Sequence, residues 1–300
     1  MRDFFENPGE ASALDINIQL CKLADGNFIR ARRLGRSVCS RSIISLEIGS
    51  MVSPVVFVGG THGMEWASAL IALKLACETA KSIKTGNPVH GIGVQKALSE
   101  RGAVFVPLLN PDGYEIRRTG RGAALKKTNL LSRFEDAEIM TWQSNANGVD
   151  INHNFNAGFY KARRQVRAIG IKGPAPTRYG GPMPFSEPES RAIKKMCAYL
   201  QPRSLYSLHS QGEEIYWRYG KSIPERGEYI AKLLAGLTGY ELCEPDVIAS
   251  HAGLKDWFIK KYGLPGFTIE LGLGKNPLPY EDFDGIWQKT ERALFAAMII

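Results

Sequence analysis

Val55-Val56-Phe57-Val58-Gly59-Gly60-Thr61-His62-Gly63-Met64-Glu65-Trp66 is the stretch from which the fold can be read. A short apolar run rich in β-branched residues has the length of a buried strand, and the two glycines after it mark a tight turn. From Trp66 to Ala80 the chain is rich in Ala and Leu and reads as a helix. A His and a Glu three residues apart, with a strand ending before them and a helix starting after them, can converge on one metal ion. Zinc accepts imidazole nitrogen and carboxylate oxygen, and a catalytic site keeps one position for water. Taken alone the pair is weak, because a loop His beside an exposed Glu explains it as well.

The surrounding sequence supplies context. Ile43–Ile48, Ala103–Leu109, Ser204–Leu208 and Phe267–Leu271 read as further strands. Ser186–Leu200, Pro224–Thr238, Leu254–Lys261 and Asp282–Ile299 read as helices, the first opening with Ser-Glu-Pro-Glu, an N-cap followed by proline and acid. Asn110-Pro111-Asp112-Gly113 reads as a turn. The basic, glycine-containing stretch from Ile116 to Ala146 reads as mostly loop, of the kind that lies over a site. Continuous apolar strands alternating with helices imply a largely parallel sheet covered on both faces. In such sheets ligands bind beyond the carboxyl ends of the strands. His62, Asn110 and His209 all fall at predicted strand ends, and Glu270 lies within a strand, so these four can converge.

Composition narrows the function classes. The chain of 300 residues is 44% hydrophobic and 23% charged, as in an ordinary globular protein, and has no linker or repeat, so one domain over 1–300 is expected. The net charge of +8 favours anionic substrates or surfaces. The basic groups at Arg30–Arg41, Arg117–Lys127 and Lys161–Arg167 lack the interleaved aromatics of a base-stacking surface, so nucleic acid is not an expected partner. Five widely spaced cysteines without a CxxC pair argue against a cysteine zinc site or a disulfide framework and fit reduced thiols. Met1–Glu10 lacks the apolar run of a signal peptide, and no stretch of about 18 apolar residues occurs. A cytoplasmic location with no membrane partner is expected.

The segments THGMEW (61–66), NPDGY (110–114), NGVDINHNF (147–155), SLHSQG (207–212) and FTIELG (267–272) follow one another as in the zinc carboxypeptidases, which the chain resembles over about residues 43 to 297. The resemblance implies a single α/β domain with a central mixed sheet of eight strands flanked by helices, and one catalytic zinc per chain. It implies His62, Glu65 and His209 as metal ligands and Glu270 as general base. Zinc would polarise the scissile carbonyl and activate a water, and Glu270 would take the water's proton and pass it to the leaving amine. A charge buried in a strand without a partner is costly, which favours a functional reading of Glu270.

Departures from the family's pattern narrow the substrate. The family grips a C-terminal carboxylate with an Asn-Arg pair, which here is Asn152-His153, and an imidazole lacks the bidentate guanidinium fork. The Arg expected after Trp142 is Gln143, which can donate a hydrogen bond but no charge. The substrate-contacting Tyr position falls at Ile248, and His251 close by could supply a polar group or be an ordinary loop residue. Tyr179-Gly180-Gly181-Pro182, near the site in the family, reads equally well as a plain turn. These features resemble the branch that cleaves bacterial cell-wall peptides at γ-D-glutamyl-diamino acid (diaminopimelate) bonds, which makes a muropeptide the expected substrate. Arg117–Lys127 could bind its carboxylates or be a solvated loop. Two other readings remain: a zinc amidohydrolase deacylating a small N-acyl amino acid, similar to the aspartoacylase relatives, and a non-catalytic relative that binds an anionic ligand.

Overall fold

A computed structural model describes residues 5–244 and 251–300. Its eight strands are β1 (Ile29–Arg36), β2 (Ser42–Ile48), β3 (Val55–Val58), β4 (Ala103–Val106), β5 (Ser204–His209), β6 (Glu214–Tyr216), β7 (Glu241–Leu242) and β8 (Gly266–Glu270). They form one mixed sheet in the order β1-β2-β4-β3-β5-β8-β6-β7. The centre, β4-β3-β5-β8, is parallel. The pairings β1-β2, β2-β4 and β6-β8 are antiparallel, so the sheet is less parallel than the alternation of strands and helices predicts. The antiparallel hairpin β1-β2 was not legible, because β1 carries Arg30, Arg32, Arg33 and Arg36 in place of an apolar alternation. As the sheet's edge, it is where charge blocks further strand pairing. Arg32 pairs there with the buried Glu47 of β2 at 2.8 Å.

The central strands are apolar throughout because both faces are covered. Successive side chains alternate between faces. Phe105, Phe57, Tyr206 and Phe267 sit on neighbouring strands in register, on the face packed by helices Trp66–Thr85, Gly227–Thr238 and Phe283–Ala297. Their rings stack across the sheet at centroid separations of 5.5, 5.0 and 4.9 Å. Val56, Val58, Val104, Val106 and Leu205 face the opposite way, onto helices Pro188–Leu200 and Leu254–Tyr262.

Several elements go beyond the sequence reading. Helix Ala13–Leu23 is capped by Ser12, whose hydroxyl accepts the Asp15 N–H while Asp15 accepts the Ser12 N–H, and it buries Ala13, Ile16 and Leu20. The Asn110–Gly113 segment is a helix start, not a free turn. The Asn110 side chain accepts the Gly113 N–H and opens helix Pro111–Thr119. The stretch expected to be loop, 116–146, holds the end of that helix, the 3-10 turn Arg121–Lys127 and short helices at Thr128–Leu131 and Asp136–Met140. Its buried Ile116, Ala124, Leu131, Ile139 and Trp142 form a small core of their own. They are too widely spaced to show a helical period. Among the described residues no helix is long and apolar enough to cross a membrane.

The aromatic ladder makes Phe57, wholly buried at its middle, a keystone of the core. Phe57→Ala should lower the unfolding free energy by about 3–5 kcal/mol. Urea denaturation of the purified variant reads this directly, and a loss below about 1 kcal/mol would show that the ladder collapses around the gap.

Candidate active site

The parallel strands end on one side of the sheet, and their ends deliver the site. After β3 the backbone turns through Gly60, at φ +58°, and reaches His62. At Gly63 a side chain would lie 2.3 Å from the Gly113 carbonyl oxygen, so only glycine lets this loop close on helix Pro111–Thr119. Glu65 then stands at the start of helix Trp66–Thr85. His209 is the last residue of β5, and Glu270, the last of β8, is its register partner.

His62, Glu65 and His209 are all buried, and one candidate ligand atom from each falls within 4.8 Å of the others. His62 Nδ1 lies 2.6 Å from Glu65 Oε1, and His209 Nδ1 lies 3.0 Å from Glu65 Oε2. Both rings thus turn Nδ1 to the same point. Their other nitrogens are occupied: His62 Nε2 lies 3.1 Å from Asp150 Oδ1, and His209 Nε2 lies 3.1 Å from Ser207 Oγ. Metal-binding imidazoles are held in this way, one nitrogen to the ion and the other fixed by an outer partner. The two-nitrogen, one-carboxylate donor set, with room for water, fits catalytic zinc. Burial pushes the Glu270 carboxyl well above the usual carboxylate range, and the charge of Glu65 adds to this while His62 opposes it. Burial likewise opposes the charge on Glu65, yet His62 and His209 hold its carboxyl down at about 2.

Asp150 is the residue that the sequence reading missed, although it stands within NGVDINHNF. Its Oδ1 also accepts the Asn152 N–H at 3.0 Å, and its Oδ2 accepts the Arg178 N–H at 2.8 Å. His153 Nδ1 approaches Oδ2 at 3.2 Å without the geometry of a hydrogen bond. Burial alone would raise the Asp150 pKa, but His153 and His62 hold it well below the usual range. The segment around Asp150 is moored by a buried polar network. Asn145 Nδ2 donates to Glu187 at 2.8 Å and to Glu189 at 3.2 Å. Asn154 donates to the Gly180 carbonyl at 2.7 Å and accepts the Ser190 hydroxyl at 2.6 Å. Tyr179–Pro182 is therefore part of the wall that holds this segment, the Asp150 N–H also bonding the Tyr179 carbonyl. The signal that could have found these residues is the cluster of asparagines, whose amides suit a buried junction of loops.

A cleft of about 790 Å³ opens beside the His62–Glu65–His209 cluster, bordered by His62, Gln143, Asp150 and His153. The Gln143 Oε1 accepts the Thr177 hydroxyl, which leaves its amide N–H groups for the cleft. Phe134, Glu138 and Thr141 border it too, so the 116–146 stretch does flank the site, though as helical turns. Asn152 lies apart from the cleft lining; its Oδ1 accepts the Leu254 N–H at 2.9 Å at the start of helix Leu254–Tyr262. His251 also lies apart, its Nδ1 3.0 Å from the Tyr219 hydroxyl. The tyrosine-equivalent position, Ile248, is outside the described residues. The basic run Arg117–Lys127 does not line the cleft. Arg117 bonds Tyr280, Arg118 bonds Glu115, and Arg121 bonds Asp136.

Residues 18–293 match the family described as zinc carboxypeptidase, and the chain belongs to it. It is 33% identical over 275 residues to the uncharacterized protein YqgT of Bacillus subtilis (strain 168), covering 90% of this chain and 72% of that one. It is 28% identical over 275 residues to γ-D-glutamyl-L-diamino acid endopeptidase 1 of Lysinibacillus sphaericus, covering 91% and 68%. Among solved structures, carboxypeptidase A from Helicoverpa armigera superposes with a TM-score of 0.74 at 20% identity, covering 96% of this chain and 72% of that one. The family and this superposition account for the eight-stranded sheet and bear out the zinc carboxypeptidase resemblance.

The Asp150 contacts carry an expectation. Asp150→Asn should weaken zinc binding about 10- to 100-fold, because the His62 ring loses its charged outer partner. Competition against a chromophoric chelator measures this, and an unchanged affinity would remove Asp150 from the role. A second expectation concerns Glu189, whose carboxyl burial pushes up to about 8, with Asp112 and Glu187 adding to the rise. The folded state therefore holds a proton that the unfolded state releases near 4.5. Stability should be highest below that pH and fall as pH rises through about 8. Glu189→Gln should flatten that slope in urea titrations run across the range; an unchanged slope would refute it.

Proposed function

We propose that residues 1–300 form one catalytic domain that binds one zinc ion and hydrolyses an amide bond in a bacterial cell-wall peptide, the γ-D-glutamyl-diaminopimelate bond. The observation that carries the reading is the register pairing of His209 with Glu270, which sets a carboxylate beside the His62–Glu65–His209 cluster. Support for the substrate class comes from the Lysinibacillus endopeptidase, related over most of the chain, and from the absence of an arginine at positions 143 and 153.

Zinc held there supplies Lewis acidity, polarising the scissile carbonyl and lowering the pKa of water. The chain's own groups do the rest. Glu270, whose carboxylate is made more basic by burial, accepts the water's proton and returns it to the leaving amine. The Gln143 amide, oriented by Thr177, donates to the carbonyl oxygen as charge develops on it. Asp150 and Ser207 keep the two imidazoles aimed at the metal. The buried His62–Glu65–His209 cluster, with Glu270 next to it, supports the catalytic reading over the non-catalytic one.

The test is hydrolysis of L-Ala-γ-D-Glu-meso-diaminopimelate followed by mass spectrometry, with chelated protein and Glu270→Gln as controls. Cleavage between D-Glu and diaminopimelate is expected, lowered by a factor on the order of 10²–10⁴ in Glu270→Gln and lost on chelation. Zinc-loaded protein that leaves this peptide intact would rule out the substrate class. Release of an acyl acid from N-acyl amino acids would then establish the amidohydrolase alternative.

A further inference from the structure

We propose that Arg178 is the carboxylate-binding residue of the cleft, pairing with the free carboxylate of the diamino acid on the leaving-amine side of the scissile amide. This rests on the peptidase reading for its choice of substrate, and on four observations for the residue.

Arg178 lines the same cleft as His62, Gln143, Asp150 and His153. Its backbone is in the left-handed region, at φ +66°, a conformation uncommon for a residue with a side chain and often found at functional sites. The segment is held there by Asp150, which accepts the Arg178 N–H at 2.8 Å and donates its own N–H to the Tyr179 carbonyl at 2.8 Å. The aspartate that orients the His62 ring thus also fixes where the arginine stands.

Its guanidinium makes no ion pair with any carboxylate among the described residues, although it stands in a wall that contains Asp150. The oxygens of Asp150 are already engaged by His62, by the Asn152 and Arg178 N–H groups and by the approach of His153. Glu138, also at the cleft, accepts the Glu135 N–H at 2.8 Å within its own helical turn. An arginine in a cleft with its fork unused is the donor set that a planar carboxylate matches with two parallel hydrogen bonds.

His153 does not supply that donor. Both of its ring nitrogens are shut off from solvent and make no hydrogen bond, with Nδ1 turned to Asp150. The chain has thus placed its cation on the 170–178 loop, which lines the same cleft as His153, the position where an arginine was expected. Lys172, on the same loop, is the other cation lining the cleft, and it is a point charge without the fork.

The experiment uses the full chain loaded with zinc. Binding of L-Ala-γ-D-Glu-meso-diaminopimelate is measured by calorimetry in a Glu270→Gln background, beside the same peptide amidated at the L-centre carboxylate of its diaminopimelate. Arg178→Gln should weaken binding of the free acid at least tenfold and leave the amide unchanged, so that the preference for the acid disappears. Arg178→Lys should keep part of it. Arg178→Gly, which tolerates the backbone angle, should behave as Arg178→Gln and guards against misfolding. In otherwise wild-type protein the same substitutions should raise KM with little change in kcat. A preference for the acid that survives Arg178→Gln and Arg178→Gly, or no binding of the free acid at all, would overturn the proposal. Binding that depends on Arg178 without cleavage by the wild type would instead sink the peptidase reading and leave the carboxylate site standing.

Discussion

Asp150 sits where three parts of the chain meet, and its carboxylate is shared among them. One oxygen orients the His62 ring and ties the 150–153 turn; the other accepts the Arg178 N–H and fixes the 170–178 loop. A buried carboxylate costs stability unless its lone pairs are met by donors and positive charge. Here they are met by the groups whose positions matter for chemistry. The His62 imidazole, the cleft's free arginine and the segment bearing His153 are therefore oriented by one charge, and displacing it would move all three.

That carboxylate works only because the segment around it is rigid. Asn145 and Asn154 each bridge several backbone and side-chain groups, linking the segment to Glu187, Glu189 and the loop at Gly180. Asparagine suits this junction because one short side chain carries both donors and an acceptor. The network contains Glu189, buried and kept protonated up to about pH 8 by that burial. The arrangement gives up stability as pH rises from about 4.5 to about 8 and keeps the loops in one place.

The sheet contributes position. Parallel strands bring their ends to one edge, so His62, His209 and Glu270, far apart in sequence, become neighbours at the lip of the core. The stacked rings of Phe105, Phe57, Tyr206 and Phe267 lock the four strands in register. A slip of one residue would turn Glu270 to the opposite face and take the site apart.

Much of this was legible in the sequence. The apolar runs of β3, β4, β5 and β8 are continuous because those strands are covered on both faces, and such runs are visible without a structure. The candidate metal ligands could be read because His209 ends one of these runs and His62 and Glu65 lie in the loop and helix start that follow another. The hairpin partner β1 and the helical turns of 116–146 could not, since an arginine-rich edge and widely spaced core residues leave no period to detect. The short strands β6 and β7, of three and two residues, are too brief to show an alternation. Sequence also showed that arginines were missing at positions 143 and 153, but not where a cation would stand instead. Arg117, Arg118 and Arg121 were the obvious candidates, and the fold pairs them with Tyr280, Glu115 and Asp136 away from the cleft. Arg178, one residue before an unremarkable turn, is left free within it. Residue type and spacing along the chain determined which chemistry was available. Which charges are neutralised and which face the substrate depends on contacts between segments remote in sequence, and only the tertiary structure decided that.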